Sequence, residues 1–192
     1  MTETLAIDRE YPRTVTLGNG AAVTLRLMTA ADADRIVGFA NSLPPDDLLF
    51  LRTDITSPAV VAQWVRHLAT GRTITVIAEV DAEMAGYASL HHHDTSWQRH
   101  LGEIRIQTGQ RYRSQGLGRA LAAEVFAIGR ERGLRKIVAQ MTVDQKGAIA
   151  TFERLGFRAE ALLQDFVIDR SNRTRDLIVM AYDVEGLTGH LD

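Results

Sequence analysis

Residues 101–119 constrain this chain more than any other stretch. The run LGEIRIQT, 101–108, alternates apolar and polar side chains as a half-buried strand does. The turn Arg113-Ser114-Gln115-Gly116-Leu117-Gly118-Arg119 follows. From there Leu117, Leu121, Val125 and Ile128 recur at helical spacing until Gly133 stops the helix. A strand that passes into a helix through two glycines leaves unpaired backbone N–H groups at the positive end of the helix dipole, where an anion is favoured. Gly116 and Gly118 carry no side chains, so a pyrophosphate can approach the backbone closely. Arg113 and Arg119 add charge and fork-shaped donors. Other phosphate loops do not fit. There is no G-x-x-x-x-G-K-[ST], and G-x-G-x-x-G fails because Leu121 stands where its third glycine belongs.

The rest of the chain supplies a framework for that turn. Residues 13–17 and 22–27 flank Gly18-Asn19-Gly20 and read as strand, turn and strand. Thr29 with Asp32 three residues on marks a helix start, with Ile36, Val37, Phe39 and Ala40 on its core side. Pro44 and Pro45 break that helix, and Ser57-Pro58 opens another that runs to about Ala69. The segment 41–57 is irregular and reads as a linker or as the wall of a cleft. Residues 73–80 and 84–91 form a hairpin, 136–141 a strand and 146–155 a short helix. Residues 162–168 and 176–182 are two late strands. The pattern is a mixed α/β sheet with helices on both faces, one domain over 13–184, with tails at 1–12 and 185–192.

Composition narrows the chemistry. The formal net charge is -2 in 192 residues, which argues against a nucleic-acid partner. There is no cysteine, so a thiolate nucleophile, a disulfide and cysteine-held zinc are all ruled out. The N-terminal residues lack a basic start and an apolar run, and no stretch is apolar enough to span a bilayer. A cytoplasmic protein without a membrane partner is the expectation.

Taken with its order of elements, the segment Arg113-Ser114-Gln115-Gly116-Leu117-Gly118 resembles the [QR]-x-x-G-x-[GA] acyl-CoA pyrophosphate loop of the GNAT superfamily of N-acetyltransferases. Gln145-Lys-Gly-Ala-Ile-Ala-Thr-Phe152-Glu-Arg-Leu-Gly156-Phe157 is similar to that family's N-x-x-A-x-x-x-Y-x-x-x-G-F segment. The resemblance covers roughly residues 23–184. It implies a mostly antiparallel sheet of about six to seven strands with helices on both faces. It also implies acetyl-CoA as acyl donor, a primary amine as acceptor (small molecule or protein lysine), and no metal. By position, the amides of Ser114, Gln115, Gly116, Leu117, Gly118 and Arg119 would cradle the pyrophosphate. Gln107 and Thr108 would lie beside the pantetheine arm where the strand splays from its neighbour, with one N–H there polarising the thioester carbonyl. Arg113, Gln145 and Phe152 complete the implied cofactor set. Family members often dimerise through late strands, so a homodimer is a mild expectation.

Two positions depart from the family's pattern: its Asn is Gln145, and the Tyr that protonates the leaving thiolate is Phe152. Phenylalanine has no proton to give. Water, Tyr112 or Tyr182 serves instead, or the thiolate leaves unprotonated, which a thiol pKa of about 8.5 allows. Phe152 also reads as a core residue on a helix face, whether or not the chain is active, and the rival function is a non-catalytic acyl-CoA-binding regulatory module. Glu103, on the strand face opposite Ile104 and Ile106, is the candidate general base; its other reading is a solvated strand residue or a partner for Arg105. His91-His92-His93 puts neighbours on opposite faces, which suits a sheet or substrate-facing role better than a metal. Arg170, Arg173 and Arg175 with Asp169 and Asp176 read as a solvated turn or as an acidic contact. A cysteinyl acyl-enzyme is impossible, so transfer is direct, within a ternary complex.

Overall fold

The hairpin at the centre of the sheet explains how both helical layers are held. In the computed structural model, which describes residues 9–49, 51–92 and 97–184, strand β3 (Thr73–Val80) pairs antiparallel with β4 (Glu83–His92). Asp81 and Ala82 both have positive φ, as a tight primed turn requires. Side chains alternate across β3. Ile74, Val76 and Ala78 enter one apolar cluster, while Ile77 enters another with Tyr87 of β4. The sheet is therefore buried on both faces.

The first cluster lies under helix α4 (Leu117–Glu131), whose Leu117, Leu121, Val125 and Ile128 are fully buried. Helix α5 (Lys146–Arg154) joins it through Phe152. The second lies under α1 (Ala33–Asn41) and α3 (Pro58–Ala69), joined by the short α2 (Pro45–Leu49). Trp64 of α3 packs against Tyr87, ring centres 5.1 Å apart and tilted, and donates its indole N–H to Thr75 at 3.1 Å. Helices thus cover both faces, as expected.

The remaining strands are β1 (Arg13–Thr16), β2 (Ala22–Leu27), β5 (Leu101–Thr108), β6 (Lys136–Thr142), β7 (Arg158–Ile168) and β8 (Thr174–Asp183). Their order is β1-β2-β3-β4-β5-β6-β8-β7, and only β5 and β6 run parallel. The count is eight, above the expected six to seven, because both strands of the first hairpin join the sheet. Strand β7 begins four residues before the position read from the sequence. It lies at the rim, with most of its side chains exposed, so there was no apolar alternation to mark its start. Arg9 and Tyr11, inside the stretch read as an N-terminal tail, bond to the buried Glu124 of α4. The C-terminal stretch 185–192 lies outside the described residues.

One polar cluster pins β2 to the start of α1. Arg26 donates to both carboxylate oxygens of Asp32, at 2.6 and 2.9 Å, and to Glu79 at 2.9 Å. Asp32 also accepts the Thr29 backbone N–H at 2.9 Å, the capping contact read from the sequence. The Arg26 hydrogen bonds hold the Asp32 carboxyl down at about 2, and Glu79 below its ordinary value. A carboxyl depressed in the folded state adds stability in full above its unfolded pKa and loses it as pH falls through the folded one. Thermal melts from pH 5 to pH 2 are therefore expected to lose about 2 kcal/mol through this residue, and Asp32→Asn to remove that part of the dependence.

Candidate functional site

From Ser114 through Arg119, six consecutive backbone N–H groups donate to no protein acceptor among the described residues. Arg113 donates back to Gln110, and regular helical bonding resumes with Ala120 to Gly116. Ser114 at φ +59° and Gly116 at φ +92° give the left-handed steps that turn successive amides into an anion-binding concavity. Helix α4 has no side-chain cap, so its dipole end is open. A Cβ placed on Gly118 would meet only the Thr108 methyl, at 3.9 Å, so the space over the turn is free of protein. These residues fit a pyrophosphate.

The turn has a support that the sequence did not announce. Asn19, in the β1–β2 turn, donates to the Gln115 side chain at 2.9 Å, and Gln115 donates to the Arg111 carbonyl at 2.7 Å. Arg119 is exposed and has no ion-pair partner among the described residues. Arg113, expected to add charge and forked donors at the turn, already has partners. It is ion-paired with Asp47 of α2 and reaches the Thr108 carbonyl at 3.4 Å.

Beside this turn the sheet opens. Strands β5 and β6 are paired at only three positions, Leu101 with Lys136, Gly102 with Ile137 and Glu103 with Val138, and then part. On its other side β5 is continuously paired with β4, and Gly109 donates to the Ala85 carbonyl at 2.8 Å. Antiparallel alternation then turns the backbone groups of Gln107, Arg105 and Glu103 toward β4, and those of Ile106 and Thr108 toward the gap. Of the two residues expected along the pantetheine arm, Thr108 faces the gap. The Gln107 backbone is committed to the β4 ladder, because one residue of offset reverses its direction.

On the face carrying α1 and α3 lies a cavity of about 490 Å³, lined by Glu103 and Arg105 of β5, Tyr87, Ser89 and His91 of β4, and Gln140 of β6, and walled by α3. The Glu103 carboxylate is mostly buried. Its Oε1 accepts from Arg52 at 2.8 Å and from Arg105 at 2.9 Å, while Oε2 accepts from no protein donor among the described residues. The expected partnership with Arg105 is present, and Glu103 also lines the cavity. Arg52, which further donates to Gln140 at 2.8 Å, was missed in the irregular 41–57 segment.

Other candidates separate clearly. Phe152 is buried and packs edge-on against Phe157 at 4.9 Å, which is the core reading. Tyr182 packs against Phe126 at 4.7 Å and Tyr112 packs at the edge of the same cluster; neither lines the cavity. The cavity's tyrosine is Tyr87, whose pKa is raised by burial, so its phenol stays protonated at neutral pH. Gln145 starts α5, and its side chain accepts the Thr142 N–H at 3.0 Å. His91 is held by Thr73 at 3.0 Å and Ser89 at 2.8 Å; His93 lies outside the described residues. Arg175 and the amides of Ser171 and Arg173 surround Asp169, and Arg175 also reaches Asp144 at 3.1 Å. In the same hairpin, Arg170 pairs with Asp54. No group of three metal-binding side chains occurs among the described residues, and no helix there is long and apolar enough to cross a membrane.

The profile of the acetyltransferase (GNAT) family matches residues 49–157. The Bacillus subtilis (strain 168) protein YwnH, provisionally named a phosphinothricin acetyltransferase, is 23% identical over 166 residues, spanning 84% of this chain and 99% of its own. The GNAT domain of S. lividans PAT superposes with a TM-score of 0.75 at 18% identity, over 91% of this chain and 99% of that one. The yncA protein of Salmonella typhimurium, with its cofactor acetyl-CoA, gives 0.72 at 21% identity, over 84% and 94%. At these identities the superpositions speak for the fold.

The Gln145 contact yields a direct test of whether that residue is structural. Replacing it with Ala leaves the Thr142 N–H without its acceptor, and denaturant unfolding is expected to show a loss of about 1 kcal/mol.

Proposed function

The chain belongs to the GNAT acetyltransferase family, and from that premise we propose that it transfers the acetyl group of acetyl-CoA directly to a primary amine. The observation that carries this reading is the run of six acceptor-free amides, Ser114 to Arg119, beside the opening between β5 and β6. The amides and the α4 dipole bind the pyrophosphate, and Arg119 adds an unpaired cation. Thr108 and Ile106 offer strand N–H and C=O groups to the pantetheine arm, and one of those N–H groups polarises the thioester carbonyl. Acetyl-CoA supplies an activated acyl group with a tolerable leaving thiolate.

The acceptor enters from the cavity on the opposite face. An ammonium has no lone pair, so the amine must first lose a proton, and Glu103 accepts it through Oε2, directly or by way of water. The nitrogen then bonds to the carbonyl carbon, the carbon–sulfur bond breaks, the nitrogen releases its second proton to water, and the thiolate leaves. Phe152 gives it no proton. Direct transfer suits a chain without cysteine. The protein works in the cytoplasm, where acetyl-CoA is available.

Thermal melts with and without acetyl-CoA test the binding half. Saturating ligand at about a hundred times its Kd is expected to raise the Tm of the wild type by on the order of 5–10 °C, and Gly118→Asp to abolish the shift. Absence of any shift in the folded wild type refutes the reading. For the chemical half, Glu103→Gln is expected to lower kcat/KM roughly 10²- to 10⁴-fold while the acetyl-CoA shift persists. Binding with no turnover of any amine leaves a regulatory acyl-CoA-binding module instead.

A further inference from the structure

The cavity around Glu103 is more cationic than a site for a positively charged acceptor would be. Arg52, Arg72 and Arg105 line it, against the single carboxylate of Glu103 among the described residues. Arg105 uses only its Nε on Glu103, and its two terminal nitrogens donate to no protein acceptor among those residues. Arg52 engages Glu103 and Gln140 through Nη1 alone. Arg72 is exposed at the start of β3 and has no ion-pair partner among the described residues. A guanidinium with both terminal nitrogens open is the planar fork that takes a carboxylate by two parallel hydrogen bonds. Here that fork stands in the acceptor cavity, beside the candidate base.

Resting on the acetyltransferase reading, we propose that the acceptor is a small amino acid: a primary amine whose carboxylate lies one or two carbons away, bound through Arg105 with Arg72 assisting. The spacing follows from the strand. Glu103 and Arg105 are two residues apart on one face of β5, and their side chains touch at 2.9 Å. A molecule that gives its amine to Glu103 Oε2 and its acid to Arg105 must carry the two close together. The apolar wall of Ile55, Trp64 and Val138 receives the rest of the molecule. A lysine side chain or a polyamine brings only positive charge into this surplus. Like charges in a partly enclosed site repel more strongly, because little water is left to screen them.

The test compares each acceptor with its own neutralised form. Release of the CoA thiol from acetyl-CoA is followed for the twenty L-amino acids, for their carboxamides, for spermidine and for a lysine-containing peptide. In the wild type, at least one free acid is expected to exceed its carboxamide by about tenfold to hundredfold in kcat/KM, chiefly through KM. In Arg105→Gln the ratio falls toward one, and in Arg72→Gln it falls by a smaller factor. Because the ratio is taken within one protein, a general loss of folding or of Glu103 positioning cancels from it. Carboxamides, spermidine or the peptide turning over as well as the acids, or better, overturns the acceptor assignment and leaves the acetyltransferase reading standing. Silence on every amine by a protein that acetyl-CoA stabilises removes the transferase reading, and this inference with it.

Discussion

The parting of β5 from β6 after three paired residues is the constraint on which the rest of the site depends. A parallel pair that continued its ladder would close the sheet and satisfy every backbone group within it. Here the ladder stops at Glu103 and Val138, so the last polar side chain before the gap stands at its throat. Beyond it, Ile106 and Thr108 turn their backbone groups into open space. The strand then delivers the chain to the turn at 113–119 and to the dipole end of α4. One interruption of pairing therefore joins an anion cradle on one face to a polar cavity on the other.

What holds the two sides in register is a segment with little secondary structure of its own. Between α1 and α3, Asp47 pairs with Arg113 at the anion cradle, Arg52 with Glu103 in the cavity, and Asp54 with Arg170 in the late hairpin. Each of these pairs is largely exposed on at least one side, and such pairs contribute little stability individually. Their value is positional. A short run of chain is thus fixed at three points, to the anion cradle, to the cavity and to the late hairpin.

The division between what was legible in the sequence and what was not follows from the range of the signals. The turn at 113–119 and the start of α4 were legible because glycine, arginine and helical spacing act locally. The alternation in 101–108 put Glu103 on the correct face because a strand's period is fixed by its backbone. Phe152 could be placed in the core from its position on an amphipathic helix. By contrast, Arg52 meets Glu103 across 51 residues and Asn19 meets Gln115 across 96, and no local pattern encodes either encounter. Tyr87 sits in an apolar strand that reads as core, and only the third dimension shows that it also borders a cavity. Gln107 and Thr108 looked alike from the sequence. Choosing between them needed the ladder register, in which a shift of one residue reverses the direction of every backbone group.

A protein that binds ligands with unpaired strand groups ordinarily has to leave a strand at the rim of its sheet, where other chains can pair with it and aggregate. This fold keeps its open strand in the interior instead. The groups of β5 that face the gap are flanked by β4 on one side and by β6 with β8 and β7 on the other, so a foreign strand cannot lie flat against them. The rim strands are β1, only four residues long, and β7. Strand β7 is interrupted by register shifts between Ala159 and Ala161 and between Leu163 and Val167, with Asp165 at positive φ. Such irregularities spoil a template for edge-to-edge association. Hydrogen-bonding capacity is thus kept inside for a small molecule and disrupted outside, where it would recruit other proteins.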